Sequence, residues 1–142
     1  MVQVGDDLPE IRREITQEKI GSYAKVAGDY NPIHLDEAYA ETTQFGGRIA
    51  HGMLVAATIS ELMTSAFRKD WIETGKLKIR LRAPVYPGDT IIVTGMVKNT
   101  KEIDGQTLIT CGVDITREAL GQVSITGEAS LLVTNKPEHD NT

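Results

Sequence analysis

The sequence predicts an α+β domain in which an antiparallel sheet curls round one long, buried helix. Three observations lead there. Residues 51–67 are apolar on nearly every side, with Met53, Leu54, Val55, Ala56, Ala57, Ile59, Leu62 and Met63, and a helix of that kind is buried. After Gly75 the hydrophobic period drops to two, the signature of strands. Those strands are joined by short turns, which leave no room for crossover helices and make the sheet antiparallel.

The elements follow in order. Residues 1–9, with Gly5, two aspartates and Pro9, read as a lead-in loop, and residues 10–15 as a short first strand. Thr16 is an N-cap for a helix from Gln17 to Ala27, with Ile20, Tyr23, Ala24 and Ala27 on one face and Gly28 as its stop. Asp36 caps a second short helix over 37–41, and residues 42–48 form a loop around two adjacent glycines. The central helix starts near His51-Gly52 and ends at Phe67. Residues 67–75 carry no assignable pattern. Leu77, Ile79 and Leu81 then alternate with Lys78, Arg80 and Arg82 in a half-buried strand, ended by Pro84 and the turn Pro87-Gly88-Asp89. A strand over 90–99 leads to a hairpin turn within 101–105, at Asp104-Gly105. Residues 106–117 turn Ile109, Cys111, Val113 and Ile115 to one face. The last strand, 122–134, does the same with Val123, Ile125, Ala129, Leu131 and Val133. A polar tail, about 135–142, is expected to fray. Sheet edges need covering or pairing, so a homodimer is expected.

Composition narrows the class. A chain of 142 residues fits one domain with a core of its own. Cys111 is the single cysteine, which excludes an internal disulfide and a cysteine-based zinc site within one chain; on the apolar side of a strand it reads as an inert small hydrophobe. No basic segment followed by an apolar run opens the chain, and no stretch has the length of a membrane span, so a soluble, cytoplasmic protein with no membrane partner is expected. A net charge of −5 argues against nucleic-acid binding. One basic cluster stands out: Arg68, Lys69, Lys76, Lys78, Arg80 and Arg82. It is either a solvated face or a landing site for the phosphates of a ligand.

The chemistry concentrates between Ala27 and Met53. Asp29 and His34 lie five residues apart with Asn31-Pro32 between them, and Gly28-Asp29 and Asn31-Pro32 are turn signals. A turn, unlike a continuous helix, brings an acid and an imidazole at that spacing to one point. The run Gly28-Asp29-Tyr30-Asn31-Pro32-Ile33-His34-Leu35-Asp36 closely resembles the hydratase motif of the MaoC-like, (R)-specific enoyl-CoA hydratases. The resemblance continues through Ala40, Thr42 and Phe45 to Ile49-Ala50-His51-Gly52-Met53-Leu54. It returns at Pro84-Val85-Tyr86, Gly88-Asp89 and Thr126-Gly127-Glu128-Ala129, and so spans nearly the whole chain. It implies the hotdog fold, with an antiparallel sheet wrapped round a central helix, usually as a dimer.

The resemblance also implies an activity: reversible addition of water to a trans-2-enoyl thioester, giving an (R)-3-hydroxyacyl thioester. Asp29 and His34 would be the catalytic pair, Ser60 a supporting serine on the central helix, and the Gly52 amide the group facing the thioester oxygen. The residue types suit the task. Hydration at C3 needs a base for water and an acid for C2, and one aspartate and one histidine can share a single water. A backbone N–H at a helix N-terminus is suited to the charge that develops on oxygen. Neither metal nor cofactor is implied, since coenzyme A is part of the substrate and the thioester already activates C3.

Each site residue also has a plainer reading. His34 and Asp29 suit a surface turn, Asn31 fixes that turn or touches the water, and His51 packs or hydrogen-bonds rather than carrying protons. Gly52 is helix-entry geometry or ligand approach. Ser60 bonds back to its own helix or orients Asp29. Tyr30, Met53, Leu54, Ala57 and Met63 are core or acyl-pocket lining, and Arg80 and Arg82 are candidate contacts for coenzyme A phosphates. The competing functions are an acyl-carrier-protein dehydratase, a thioesterase on the same fold and a non-catalytic acyl-thioester binding module.

Overall fold

The computed structural model describes residues 2–135. Strand β1 spans Ile11–Glu14 and helix α1 spans Gln17–Ala27. Thr16 caps α1 by accepting the Lys19 N–H at 3.1 Å. The helix stops where Gly28 enters the left-handed region at φ 72° and its N–H returns to the Ala24 carbonyl. Two short helices follow, α2 at Pro32–Leu35 and α3 at Glu37–Glu41, then the central helix α4 at Gly52–Phe67 and α5 at Lys69–Thr74. Strand β2 covers Lys76–Leu81, β3 Thr90–Ile103, β4 Gln106–Arg117 and β5 Gln122–Thr134. All pairings are antiparallel and the order is β1-β3-β4-β5-β2, so β1 and β2 are the edges of one five-stranded sheet.

The inner face of the sheet and α4 make the core. Ile91, Val93, Val97, Ile109, Cys111, Val113, Ile115, Ile125, Ala129 and Leu131 meet Val55, Ala56, Ile59, Leu62 and Met63. At Gly95 the sheet comes close to α4: a Cβ there would stand 3.1 Å from Leu62 and 3.0 Å from Leu8. Among the described residues no helix is long and apolar enough to cross a membrane.

The architecture agrees with the expected α+β sheet around one long helix, with local corrections. Residues 32–35 form a turn of helix rather than an open turn, because Asn31 caps it and Pro32 occupies its first position. The unassigned stretch 67–75 contains α5, whose Trp71 is buried against the core. Strand β3 runs on to Ile103, with Asp104-Gly105 at positive φ making the turn. Leu77 and Leu81 are exposed on an edge strand, and only Ile79 of the expected inward trio is half-buried. A register shift between β4 and β5 brings Ser124 inside and turns Val123 out, reversing the alternation expected there. Asn135 is held by its N–H on the Gly105 carbonyl. The rest of the expected polar tail lies outside the described residues.

Candidate active site

The sequence of turns and caps from 28 to 35 sets the site. Asp29 follows the left-handed Gly28, and its Oδ1 accepts the Asn31 N–H at 3.2 Å, an Asx turn. The Asn31 Oδ1 in turn accepts the Ile33 N–H at 3.0 Å and starts α2. One helical turn later His34 points inward, 9% exposed. Its main-chain carbonyl accepts from the Gln17 side chain at 2.9 Å, tying α2 to α1. Its Nδ1 lies 2.8 Å from the Ile49 carbonyl. A carbonyl only accepts, so Nδ1 carries the proton and the Nε2 lone pair is free.

His51 sits beneath this pair. It is 2% exposed, its ring stacks on His34 with centroids 3.8 Å apart, and Tyr23 of α1 packs against it at 4.8 Å. Its Nε2–H donates to the Asp29 main-chain carbonyl at 3.1 Å. Donor atoms of Asp29, His34 and His51 all lie within 4.8 Å of one another, a spacing at which metals are sometimes held. The geometry is poor for that purpose. Two imidazoles stacked with 28° between their planes send their lone pairs nearly side by side, whereas a metal needs them to converge.

His51 is also the N-cap residue of α4, and its side chain caps none of the helix amides. The first N–H groups of α4, Gly52 foremost, therefore remain unpaired by a cap at the positive end of the helix dipole. Beside Gly52 lies a cavity of about 280 Å³, lined among others by Phe45, Ile49, Val55, Leu81, Val85 and Ser124. The Leu81 side chain lies so close to Gly52 that a Cβ there would come within 2.8 Å of it. The wall is pinned from outside. The Tyr86 hydroxyl donates to the Phe45 carbonyl at 2.9 Å, Asp89 accepts the Tyr86 N–H at 2.8 Å, and Arg117 pairs with Asp89 at 2.7 Å.

The structure brings Asp29, His34, Asn31 and the start of α4 together, and leaves other expected residues elsewhere. The Ser60 hydroxyl accepts from the Trp71 indole N–H at 3.2 Å, joining α4 to α5 about 12 Å further along the helix axis than Gly52. It neither bonds back to its own helix nor reaches Asp29 within this chain. Tyr30 and Met53 are 61% and 65% exposed, Ala57 is exposed on the same stripe of α4, and Leu54 packs on the edge of the core. None of the four lines the cavity. Met63 is wholly core. Arg82 reaches the cavity and its Nε donates to Thr126 Oγ1 at 3.2 Å; Arg80 is exposed outside it. Sequence reasoning missed Phe45, Ile49, Leu81 and Ser124 as cavity wall. They come from a loop, an edge strand and a bulge, and nothing in their spacing brings them together.

A family profile described as the MaoC-like domain matches residues 3–119. The chain belongs to the MaoC-like family. It is 35% identical over 127 residues to a protein of Rhodospirillum rubrum named (R)-specific enoyl-CoA hydratase, covering 87% of this chain and 83% of that one. It is 30% identical over 135 residues to a mitochondrial 3-hydroxyacyl-[acyl-carrier-protein] dehydratase of Arabidopsis thaliana, covering 95% and 80%. Among solved structures it resembles the (R)-hydratase of Aeromonas caviae involved in PHA biosynthesis, with a TM-score of 0.79 and 26% identity over 91% of this chain and 95% of that one. The hotdog fold of this MaoC-like chain is thereby established.

Proposed function

We propose that this protein hydrates trans-2-enoyl-CoA reversibly to (R)-3-hydroxyacyl-CoA, with Asp29 and His34 acting on one shared water. That the chain is a lyase of hydratase or dehydratase type follows from its family and relatives; the carrier, the stereochemistry and the residue roles are the proposal. The observation that carries it is the convergence of an exposed aspartate and an imidazole with a free Nε2 beside the uncapped start of α4.

In the hydration direction the water oxygen bonds to C3 while the pair takes a water proton. The electron pair moves through C2 to the thioester oxygen, and the proposal gives the Gly52 N–H the task of receiving that charge. The proton taken from water is then delivered by the pair to C2, so the pair ends as it began and the C=C bond has become C–C with no bond to sulfur broken. No cofactor enters, because the thioester supplies the activation. Ser60 has no part in this chain's pair.

Coenzyme A is favoured as carrier by Arg82 at the cavity wall and Arg80 nearby on β2, cations suited to its phosphates. The same basic strand would also suit an acidic carrier protein, so kinetics with crotonyl-CoA and crotonyl carrier protein are to be run side by side. The proposal expects the coenzyme A thioester to have the higher kcat/KM, and replacing both arginines by alanine to raise its KM. A preference for the carrier protein, or an unchanged KM, would contradict that carrier assignment.

The protein acts as a homodimer in this reading. Tyr30, Met53 and Leu81 are exposed apolar side chains around the site, and β2 leaves one sheet edge open. A second copy is the natural cover for such a surface.

A further inference from the structure

We propose that His51 is a positioning residue, the part that fixes Asp29 and His34 relative to each other and to the start of α4. The inference rests on the hydratase reading for its kinetic consequence, and on geometry alone for the rest. Three connections converge on this one buried ring. Its Nε2–H holds the main-chain carbonyl of Asp29 at 3.1 Å. Its face lies against the His34 ring at 3.8 Å. Its own backbone is the N-cap of α4, immediately before Gly52. Tyr23 closes the remaining side from α1.

Each connection removes a freedom that the site cannot tolerate. The Asp29 side chain is exposed and has one hydrogen bond, to a neighbouring amide, so its place depends on where its main chain is held. The His34 ring has one hydrogen bond, to Ile49; a second flat ring against it stops rotation that would break that bond and turn Nε2 away. Nothing else described in the structure ties the 28–31 turn to the start of α4. The His51 Nδ1 has no hydrogen-bond partner among the described residues. A histidine supplies both the Nε2–H donor and the flat face at once, a combination no other side chain of that size offers.

Two substitutions separate those uses. His51→Phe keeps a flat ring and loses the donor; His51→Gln keeps a donor and loses the ring. Each is made alone and in an Asp29→Asn background, with melting temperature as the control for folding. Turnover of crotonyl-CoA is measured, and the ring nitrogens of His34 are observed by NMR in uniformly ¹⁵N-labelled protein. Both single variants are expected to fold, to lose kcat by about 10- to 100-fold, the scale of a small misplacement of reacting groups, and to leave KM within about two-fold. In the Asp29→Asn background each should lower kcat by much less than it does alone, since only His34 is left to position. The His34 signature should show one tautomer, Nδ1–H, in the wild type and averaging between tautomers in His51→Gln.

Wild-type kcat in both variants, or full additivity with Asp29→Asn, would overturn the proposal. If the wild type turns over no enoyl thioester, the hydratase reading fails, and the NMR arm decides this one alone. An unchanged His34 signature in both variants overturns it, and averaging in His51→Gln supports it.

Discussion

Because the Ile49 carbonyl takes the His34 Nδ1–H at 2.8 Å, the structural work and the proposed chemical work of that imidazole fall on different nitrogens, and substitutions can separate them. His34→Asn places an amide N–H close to where Nδ1–H stood and removes Nε2. Asp29→Asn keeps an oxygen for the Asn31 N–H and removes the charge. Both variants are expected to melt near the wild type and to lose at least roughly 10²-fold in kcat; a variant that folds and turns over normally excludes its residue from the chemistry. Cys111 gives a prediction of another kind. Burial pushes its thiol from 9.0 up to about 11, so the folded protein keeps a proton that the unfolded chain releases between those values. Stability from this source is complete below about pH 9 and is lost as pH rises through about 11. The fall in melting temperature across that window should be shallower in Cys111→Ala, as thermal scans at stepped pH would show. The convergence of Asp29 and His34 was legible because Gly-Asp-Tyr-Asn-Pro-Ile-His states its turn chemistry locally. The role of His51 was not, since its partners come from α1, α2 and the 28–31 turn and only the fold brings them to it.

At the scale of elements, α2 shows how a helix of four residues, far too short to be stable alone, is held by its ends. Asn31 caps it, Pro32 presets its first turn, and Gln17 and Ile49 bind the His34 it carries. Asn31→Ala should cost about 1 kcal/mol in urea denaturation, the usual worth of a cap, and should lower turnover through His34. Asn31→Ser should recover most of the stability. Capped, periodic elements were readable from sequence: α1 ends at Thr16 and Gly28 as expected, and β4 and β5 keep their expected bounds. The misses have a common physical cause. The length of α2 depends on contacts to residues 17 and 49, α5 on the burial of Trp71, and the reversal at Val123-Ser124 on a register shift against β4. None of these is a local property of the chain.

For the whole molecule, the sheet covers one side of α4 and leaves Met53 and Ala57 of that helix, with Tyr30 and Leu81, in solvent. A lone chain would carry this apolar surface at the mouth of its own site, which is the ground for the proposed dimer. Sedimentation equilibrium should give twice the chain mass at micromolar concentration, and Leu81→Lys should shift the equilibrium toward the single chain; a wild type that is monomeric throughout would contradict the pairing. The central claim is that water adds at C3 of an enoyl thioester while the thioester stays whole. Its most direct test mixes the protein with crotonyl-CoA, follows loss of the enoyl absorbance, titrates free thiol in the same sample and resolves the C3 configuration of the product. The account predicts loss of absorbance, no thiol released and an (R)-3-hydroxybutyryl product, with both losses of function at Asp29 and His34 abolishing it. Release of coenzyme A as free thiol, or an (S) product, would contradict it.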